Sequence, residues 1–375
     1  MADSSIAKIN LDEILREPVY VTRSFIPPQE EYLSRVKAIM ERGQLTNHGP
    51  CVAELEEKLR VELGVKHLVI MSNGTLAIQL ALKALGGVGE IITTPFSYVA
   101  TVSSAVWEGF TPVFAGVRPT DLSLDPDQVE RLIGPDTKAI LATHVYGFPC
   151  QVEAFERISE KYGIPVIYDA AHAFGVKVDN RPLMTFGSMS TLSFHATKVF
   201  HSAEGGAVTT ESDELAHRLR YLRNFGHNGE EAFWGIGVNA KMSELHGAMG
   251  LSVLPHMPEI YAGRKRVWES YHELLNGTGV TVFNVPKGVH YNHSYFPCLM
   301  PNEASLLAAK AELNAQNIFP RRYFYPSLDK LPYVNPSGDP VVTDACTRVL
   351  CLPLHPTLPL DVVQDVCEVL IRHAS

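Results

Sequence analysis

Short apolar runs recur along the first half of the chain: HLVIM (67–71), EIITT (90–94), TPVFAG (111–116), KAILATH (138–144) and IPVIYD (164–169). Their brevity and their valine, isoleucine and aromatic content predict strands, and the amphipathic stretches between them predict helices, the rhythm of βαβ units. TLAIQLALKALG (75–86) is apolar nearly all round, as a helix packed on a sheet would be, and Gly86 is suited to cap its end. Two further runs, TLSFH (191–195) and GAVTT (206–210), follow close together. Seven strands are therefore available to one large, mostly parallel sheet.

Beyond residue 210 the period lengthens. ELAHRLRYLRNFG (214–226) sets Leu215, Leu219 and Leu222 on one helical face, with Gly226 able to end the helix. A second helical tract is expected from Lys241 to Leu254, after which Pro255 and Pro258 punctuate the chain. EIYAGRKRVWESYHELLNG (259–277) then reads as a long helix joining domains. The strand-like SYFPCLM (294–300), helical EASLLAAKAELNAQ (303–316) and closing LDVVQDVCEVLIRH (360–373) suit a small α+β unit. The expected organisation is an N-terminal segment at 1–30, a large domain at 31–255 and a smaller C-terminal domain at 256–375.

Composition narrows the function classes. A chain of 375 residues, 46% hydrophobic, can bury a full core. Its net charge of −9 argues against a nucleic-acid surface, so an anionic ligand must be met by local cations or backbone N–H groups. The six cysteines contain no CxxC pair and no spacing suited to zinc, which predicts reduced thiols and no metal. MADSSIAKINLDEILREPVY lacks a basic start followed by an apolar stretch, and no apolar run approaches the ~20 residues of a membrane span. The expectation is a cytoplasmic protein without a membrane or nucleic-acid partner.

Candidate chemistry sits at the strand exits. In MSNGTLAIQL (71–80), Ser72, Asn73, Gly74 and Thr75 lead straight into a helix, which fits either an anion site or a capped βα turn. Asp169 ends an apolar strand in VIYDAAHAFG (166–175), where α/β proteins place their sites; a helix cap would explain it equally. Lys198, in SFHATKVF (193–200), follows after one more strand, so both side chains could converge on one crevice. An aspartate holding a pyridinium N–H and a lysine forming a Schiff base are the two groups that pyridoxal 5'-phosphate requires of a protein. Ser193 could add a hydroxyl to the phosphate, and Tyr98 in PFSYVAT (95–101) a ring face; singly, each fits packing as well.

Taken in order, GPCVAELEEKL (49–59), SNGTLAIQLAL (72–82), PFSYVAT, HVYG (144–147), YDAAHAFG, SFHATKVFHSAEGGAV (193–208) and NAKMSELHGAMG (239–250) resemble the DegT/DnrJ/EryC1/StrS family of nucleotide-sugar aminotransferases. LTNHGP (45–50), ITTPFSYVAT (92–101) and RRYFYPSL (321–328) are most similar to members that aminate C4 of dTDP-4-keto-6-deoxyglucose. The resemblance implies a type I aminotransferase fold, with a large domain and a smaller α+β C-terminal domain. It also implies a homodimer, with pyridoxal 5'-phosphate as cofactor and L-glutamate as amino donor. It makes Lys198 the Schiff-base lysine and Asp169 the pyridine-nitrogen partner. Gly74, Thr75 and Ser193 would hold the phosphate, Tyr98 would stack on the ring, and Asn239 would reach the phosphate of the other subunit. His172 would lie near the cofactor's phenolic oxygen, although a structural histidine closing its turn fits too.

Arg321 and Arg322 offer planar forks suited to a diphosphate, with Tyr323 or Tyr325 beside thymine or sugar; two solvated surface arginines are the plain alternative. His144 receives no catalytic duty. A dehydratase on the same fold would carry histidine in place of the lysine, and HATK retains lysine. A non-catalytic cofactor-binding protein is hard to reconcile with Asp169, Ser193 and Lys198 together. The remaining rival is an aminotransferase for a UDP- or GDP-linked 4-keto sugar or a 3-keto isomer.

Overall fold

The computed structural model describes residues 17–375, so residues 1–16 of the expected N-terminal segment lie outside the described residues. The seven apolar runs become strands of one sheet: β1 (His67–Met71), β2 (Glu90–Thr93), β3 (Thr111–Phe114), β4 (Thr137–Thr143), β5 (Val166–Asp169), β6 (Met189–Ser193) and β7 (Gly206–Thr210). Their order across the sheet is β1-β7-β6-β5-β4-β2-β3. Only β7 runs against its neighbours, pairing antiparallel with β1 and β6. The chain between Ser193 and Gly206 contains no helix to carry it back over the sheet, so β7 returns directly alongside β6.

Helices α1 (Gln29–Arg42), α2 (Pro50–Glu62), α3 (Gly74–Leu85), α4 (Val99–Trp107), α5 (Pro126–Leu132), α6 (Val152–Tyr162), α7 (Asp213–Leu222) and α8 (Glu244–Val253) cover both faces of this sheet. Alternation along the strands decides which side chain meets which helix. Leu68, Ile70, Ile140 and Leu192 share a core with Leu55 and Leu59 of α2, Val129 of α5, Phe155 of α6 and Leu251 of α8. Val69, Met71, Leu141 and Val208 face the other way, against Ala77–Ala84 of α3, Ala105 of α4 and Leu219 of α7. Strands buried on both faces explain why the sequence shows continuous apolar runs.

Two helix boundaries differ from the sequence expectation. Helix α7 stops at Leu222, four residues before Gly226; Arg223 keeps helical backbone angles, and its guanidinium turns inward to Glu56 Oε2 (2.9 Å) and the Ile70 carbonyl (2.8 Å). Gly226, at φ +80°, lies in the turn just beyond and still serves the helix end, its N–H donating to the Tyr221 carbonyl at 2.8 Å, while the Gly235 carbonyl oxygen leaves no room for a Cβ. Pro258 does not end a helix but lies in the first turn of α9 (Met257–Leu275), a position that needs no N–H.

A buried carboxylate ties α8 to the chain's start. Glu244, fully buried, accepts from the backbone N–H groups of Cys51 and Val52 and from Arg42, each at 2.9 Å. The ends of α1 and α2 are thereby fixed against the segment that follows Asn239. Gly49 is required beside it, since a Cβ there would stand 2.6 Å from Glu244 Cδ.

The rest of the chain forms a second layer. Strands β8 (Thr281–Val282), β9 (Phe296–Leu299) and β10 (Val349–Leu352) make an antiparallel sheet in the order β8-β9-β10. Helices α10 (Glu303–Ala315), α11 (Pro340–Arg348) and α12 (Leu360–Ala374) close a separate core around it, with Leu306, Cys346 and Val366 among its members. Helix α9 joins the two cores: Met257 and Ile260 pack with the large sheet, Val267 and Tyr271 with the small one. Among the described residues, no helix is long and apolar enough to cross a membrane.

Candidate active site

Strands β1, β2, β4, β5 and β6 all end on one edge of the sheet, and a cavity of about 600 Å³ opens there. The strand exits supply Gly74 and Thr75, then Ser97 and Tyr98, then Thr143, Asp169 and His172, and finally Ser193 and Lys198. Tyr295, Tyr323 and Phe324 from the C-terminal layer form the opposite wall. Eight candidate site residues named from the sequence (Gly74, Thr75, Tyr98, Asp169, His172, Ser193, Lys198 and Tyr323) therefore line one space. Tyr98 is not a core residue; it is 59% exposed on the cavity wall.

Asp169 is the last residue of β5 and is nearly inaccessible to solvent. Burial pushes its carboxyl above the ordinary aspartate value, against the opposing pull of the Thr101 hydroxyl, the Ala171 N–H and the Lys198 ammonium. Thr101 Oγ1 donates to Asp169 Oδ2 at 2.7 Å and the Ala171 N–H to Oδ1 at 3.2 Å, so both oxygens are held. For Lys198 the same dryness acts in the other direction. Burial pulls its ammonium down to about 8, and only Asp169 raises it. Burial first and the Lys198 charge second hold His172 well below the usual histidine value, so its ring is neutral.

Around the opposite rim the chain offers groups for an anion. Asn73 caps α3 through its side chain, which accepts from the Leu76 N–H at 2.8 Å. The N–H groups of Gly74 and Thr75 have no helical acceptor and are available to a phosphate. Gly74 is pressed against Ser193: a Cβ on Gly74 would stand 2.8 Å from Ser193 Cβ. These features fit pyridoxal 5'-phosphate, because a helix start and a hydroxyl suit the phosphate and a buried carboxylate suits a ring N–H. The Nδ1 of His172, buried and without a partner among the described residues, is a further group that a ligand would satisfy.

A second cavity of about 390 Å³ adjoins the first through Ser97, Tyr98, Tyr323 and Phe324. Arg321, Arg322 and Tyr325 line it, as does Lys310 of α10, which sequence reasoning did not single out. The two arginines differ. Arg322 is committed to the fold: it binds Glu303 at 2.6 Å, lies 3.7 Å over the Tyr325 ring and reaches the carbonyls of Cys346 and Thr347. Arg321 is exposed, and neither it nor Lys310 has a carboxylate partner among the described residues.

Asn239 lines neither cavity and is exposed, in a chain stretch that also exposes Phe233, Trp234 and Ile236. His144 is buried in the fold, stacked on Tyr168 and accepting from the Cys150 N–H through Nδ1. Sequence reasoning overlooked Thr101, Ser97 and Thr143. Ser97 and Thr101 flank Tyr98 at a predicted strand exit, but nothing in the sequence showed what they meet.

Residues 28–371 match the profile of the DegT/DnrJ/EryC1/StrS aminotransferase family. The chain is 41% identical over 360 residues to the dTDP-4-amino-4,6-dideoxy-D-glucose transaminase of Shigella dysenteriae, covering 94% of this chain and 98% of that one. It is 29% identical over 338 residues to the GDP-perosamine synthase of Vibrio cholerae, covering 88% and 92%. The crystal structure of DesI in the presence of its TDP-sugar product superposes with a TM-score of 0.90 at 34% identity, covering 96% of this chain and 93% of that one.

The electrostatics give a direct test. In protein freed of cofactor, modification of Lys198 by an amine-selective reagent, followed site by site in a mass spectrometer, should reach half its maximum rate near pH 8. Asp169→Asn removes the charge that favours the ammonium and should move that midpoint lower. A midpoint near the ordinary lysine value would show that Lys198 is solvated.

Proposed function

The chain belongs to the DegT/DnrJ/EryC1/StrS aminotransferase family, and from that membership we propose that it transfers the amino group of L-glutamate to C4 of dTDP-4-keto-6-deoxy-D-glucose. It uses pyridoxal 5'-phosphate. The observation that carries the substrate is the 41% identity, over almost the whole of both chains, to a transaminase of the corresponding 4-amino sugar. The GDP-linked alternative has the weaker likeness, at 29%.

When bound, the cofactor takes the amino group from the donor and passes it to the keto carbon, while its ring absorbs the charge that develops on deprotonation. The chain's own residues do the rest. Gly74 and Thr75 N–H groups and Ser193 Oγ hold the phosphate. Tyr98 gives a ring face, and Asp169 holds the proton on the pyridine nitrogen. His172, kept neutral, offers Nδ1 beside the phenolic oxygen. Lys198 carries the cofactor and, when free, moves the proton at Nζ. With its ammonium held at about 8, both forms are populated near neutrality, so within each half-reaction one amine can take the proton as base and return it as acid.

The sugar nucleotide occupies the adjoining cavity. Two cations without carboxylate partners, Arg321 and Lys310, face a diphosphate there, and Tyr323 and Tyr325 offer rings to the sugar or base. The enzyme works as a homodimer, in which the exposed Phe233–Ile236 stretch is covered and Asn239 reaches the phosphate of the other subunit's cofactor. Six buried free cysteines suit a cytoplasmic location.

Incubation with glutamate and a panel of keto-sugar nucleotides should give turnover with the dTDP-linked 4-keto sugar, and NMR of the product should place the amine on C4. An amine on C3, or turnover with UDP- or GDP-linked acceptors alone, would refute the substrate. Arg321→Ala should raise KM for the sugar nucleotide about 10-fold while the glutamate half-reaction is unchanged, the loss expected of one charge-assisted contact. Arg322→Ala should instead lower the unfolding temperature.

The shared site has its own test. Mixing inactive Lys198→Ala subunits with inactive Asn239→Ala subunits should restore activity, because one site of each heterodimer is then intact. No recovery after verified subunit exchange would exclude a contribution of Asn239 across the interface.

A further inference from the structure

Asp169 is the end of a file of hydroxyl groups. Its Oδ2 accepts from Thr101 Oγ1 at 2.7 Å, Thr101 Oγ1 lies 2.8 Å from Ser97 Oγ, and Ser97 Oγ accepts from Thr143 Oγ1 at 3.1 Å. Each hydroxyl has one proton to give. Thr101, having given its proton to the carboxylate, accepts from Ser97, and Ser97 accepts from Thr143. The three bonds therefore point one way, towards Asp169. Thr143, Ser97, Thr101 and Asp169 are 3%, 2%, 0% and 5% exposed, so little solvent reaches these bonds. The four groups come from the end of β4, the approach to α4, the first turn of α4 and the end of β5. Three aligned buried hydroxyls are a costly way to fill space that methyl groups would fill, unless they serve the carboxylate.

We propose that Thr101, backed by Ser97 and Thr143, is a positioning residue that keeps Asp169 ionised and fixes the rotation of its carboxylate, so that Asp169 holds the proton on the cofactor's pyridine nitrogen. The inference rests on the assignment of Asp169 as that nitrogen's partner. Burial alone drives Asp169 towards its neutral form, and a neutral aspartic acid cannot stabilise a protonated ring. Among the described residues, Lys198 is the only lysine or arginine lining the cavity, and its charge comes and goes with its own proton. The hydroxyl file carries no net charge and does not change as Lys198 titrates. It supplies the part of the stabilisation that is constant through the reaction, and the Ala171 N–H on the other oxygen completes the hold.

The test reads the ring nitrogen itself. Wild type, Thr101→Val, Thr101→Ser, Ser97→Ala and Asp169→Asn are freed of cofactor and reloaded with pyridoxal 5'-phosphate carrying 15N at the ring position. The nitrogen's NMR signal is then recorded with the cofactor dissociation constant. Wild type and Thr101→Ser should show a protonated nitrogen. Thr101→Val should move the signal towards the unprotonated form and weaken binding about 10-fold, as loss of one hydrogen bond to a charged group predicts. Ser97→Ala should shift it less, in the same direction. If Thr101→Val does not fold, Ser97→Ala decides by the same signal. A wild-type signal in Thr101→Val, with a moved one in Asp169→Asn, would overturn the role of Thr101 and leave Asp169 in place. An unmoved signal in Asp169→Asn as well would remove the reading of Asp169 and this inference with it.

Discussion

Asp169, buried, and Lys198, half-buried, share one crevice that makes opposite demands on the two groups. Dryness favours a protonated carboxyl and a neutral amine, whereas the charge of each partner favours the ionised form of the other. The balance leaves an amine poised between its two forms beside a carboxylate held by hydrogen bonds. Neither property belongs to the residue alone. Both follow from the sheet, which ends β5 and β6 side by side, with Asp169 paired in register to Thr191, and delivers Lys198 on the turn just beyond.

The C-terminal layer shapes that crevice from the other side. Tyr295 meets the His172 ring edge-on at 4.8 Å between centroids, and Asn292 binds the carbonyls of His172 and Phe174 at 2.9 and 3.0 Å. The turn after β5 is thus gripped by residues more than a hundred positions later. Residues of the large sheet and a wall from the small unit define one space, and the second cavity, with Arg321 and Lys310, shares Ser97, Tyr98, Tyr323 and Phe324 with it.

The sheet and the strand-exit residues were legible because local pattern determines them. An apolar strand that stops at Asp169, or at Ser72 before a helix, announces its carboxyl end, and in a parallel sheet those ends meet. What remained hidden depended on distant partners. Arg321 and Arg322 are adjacent in sequence, and only Glu303 and Tyr325 show that Arg322 is tied into the fold. The bonds that draw the Arg223 guanidinium inward, to Glu56 and to the Ile70 carbonyl, likewise cannot be read locally. Ser97, Thr101 and Thr143 carry no distinctive pattern, since hydroxyls are common in helices and strands alike; their meaning appears only where they line up on Asp169.

The claim on which the account turns is that Lys198 carries the cofactor. Borohydride reduction of the holoenzyme, followed by proteolysis and mass mapping, reads this directly. The pyridoxyl group should lie on the peptide containing Lys198, with no such adduct in Lys198→Ala. A label on any other lysine would contradict it.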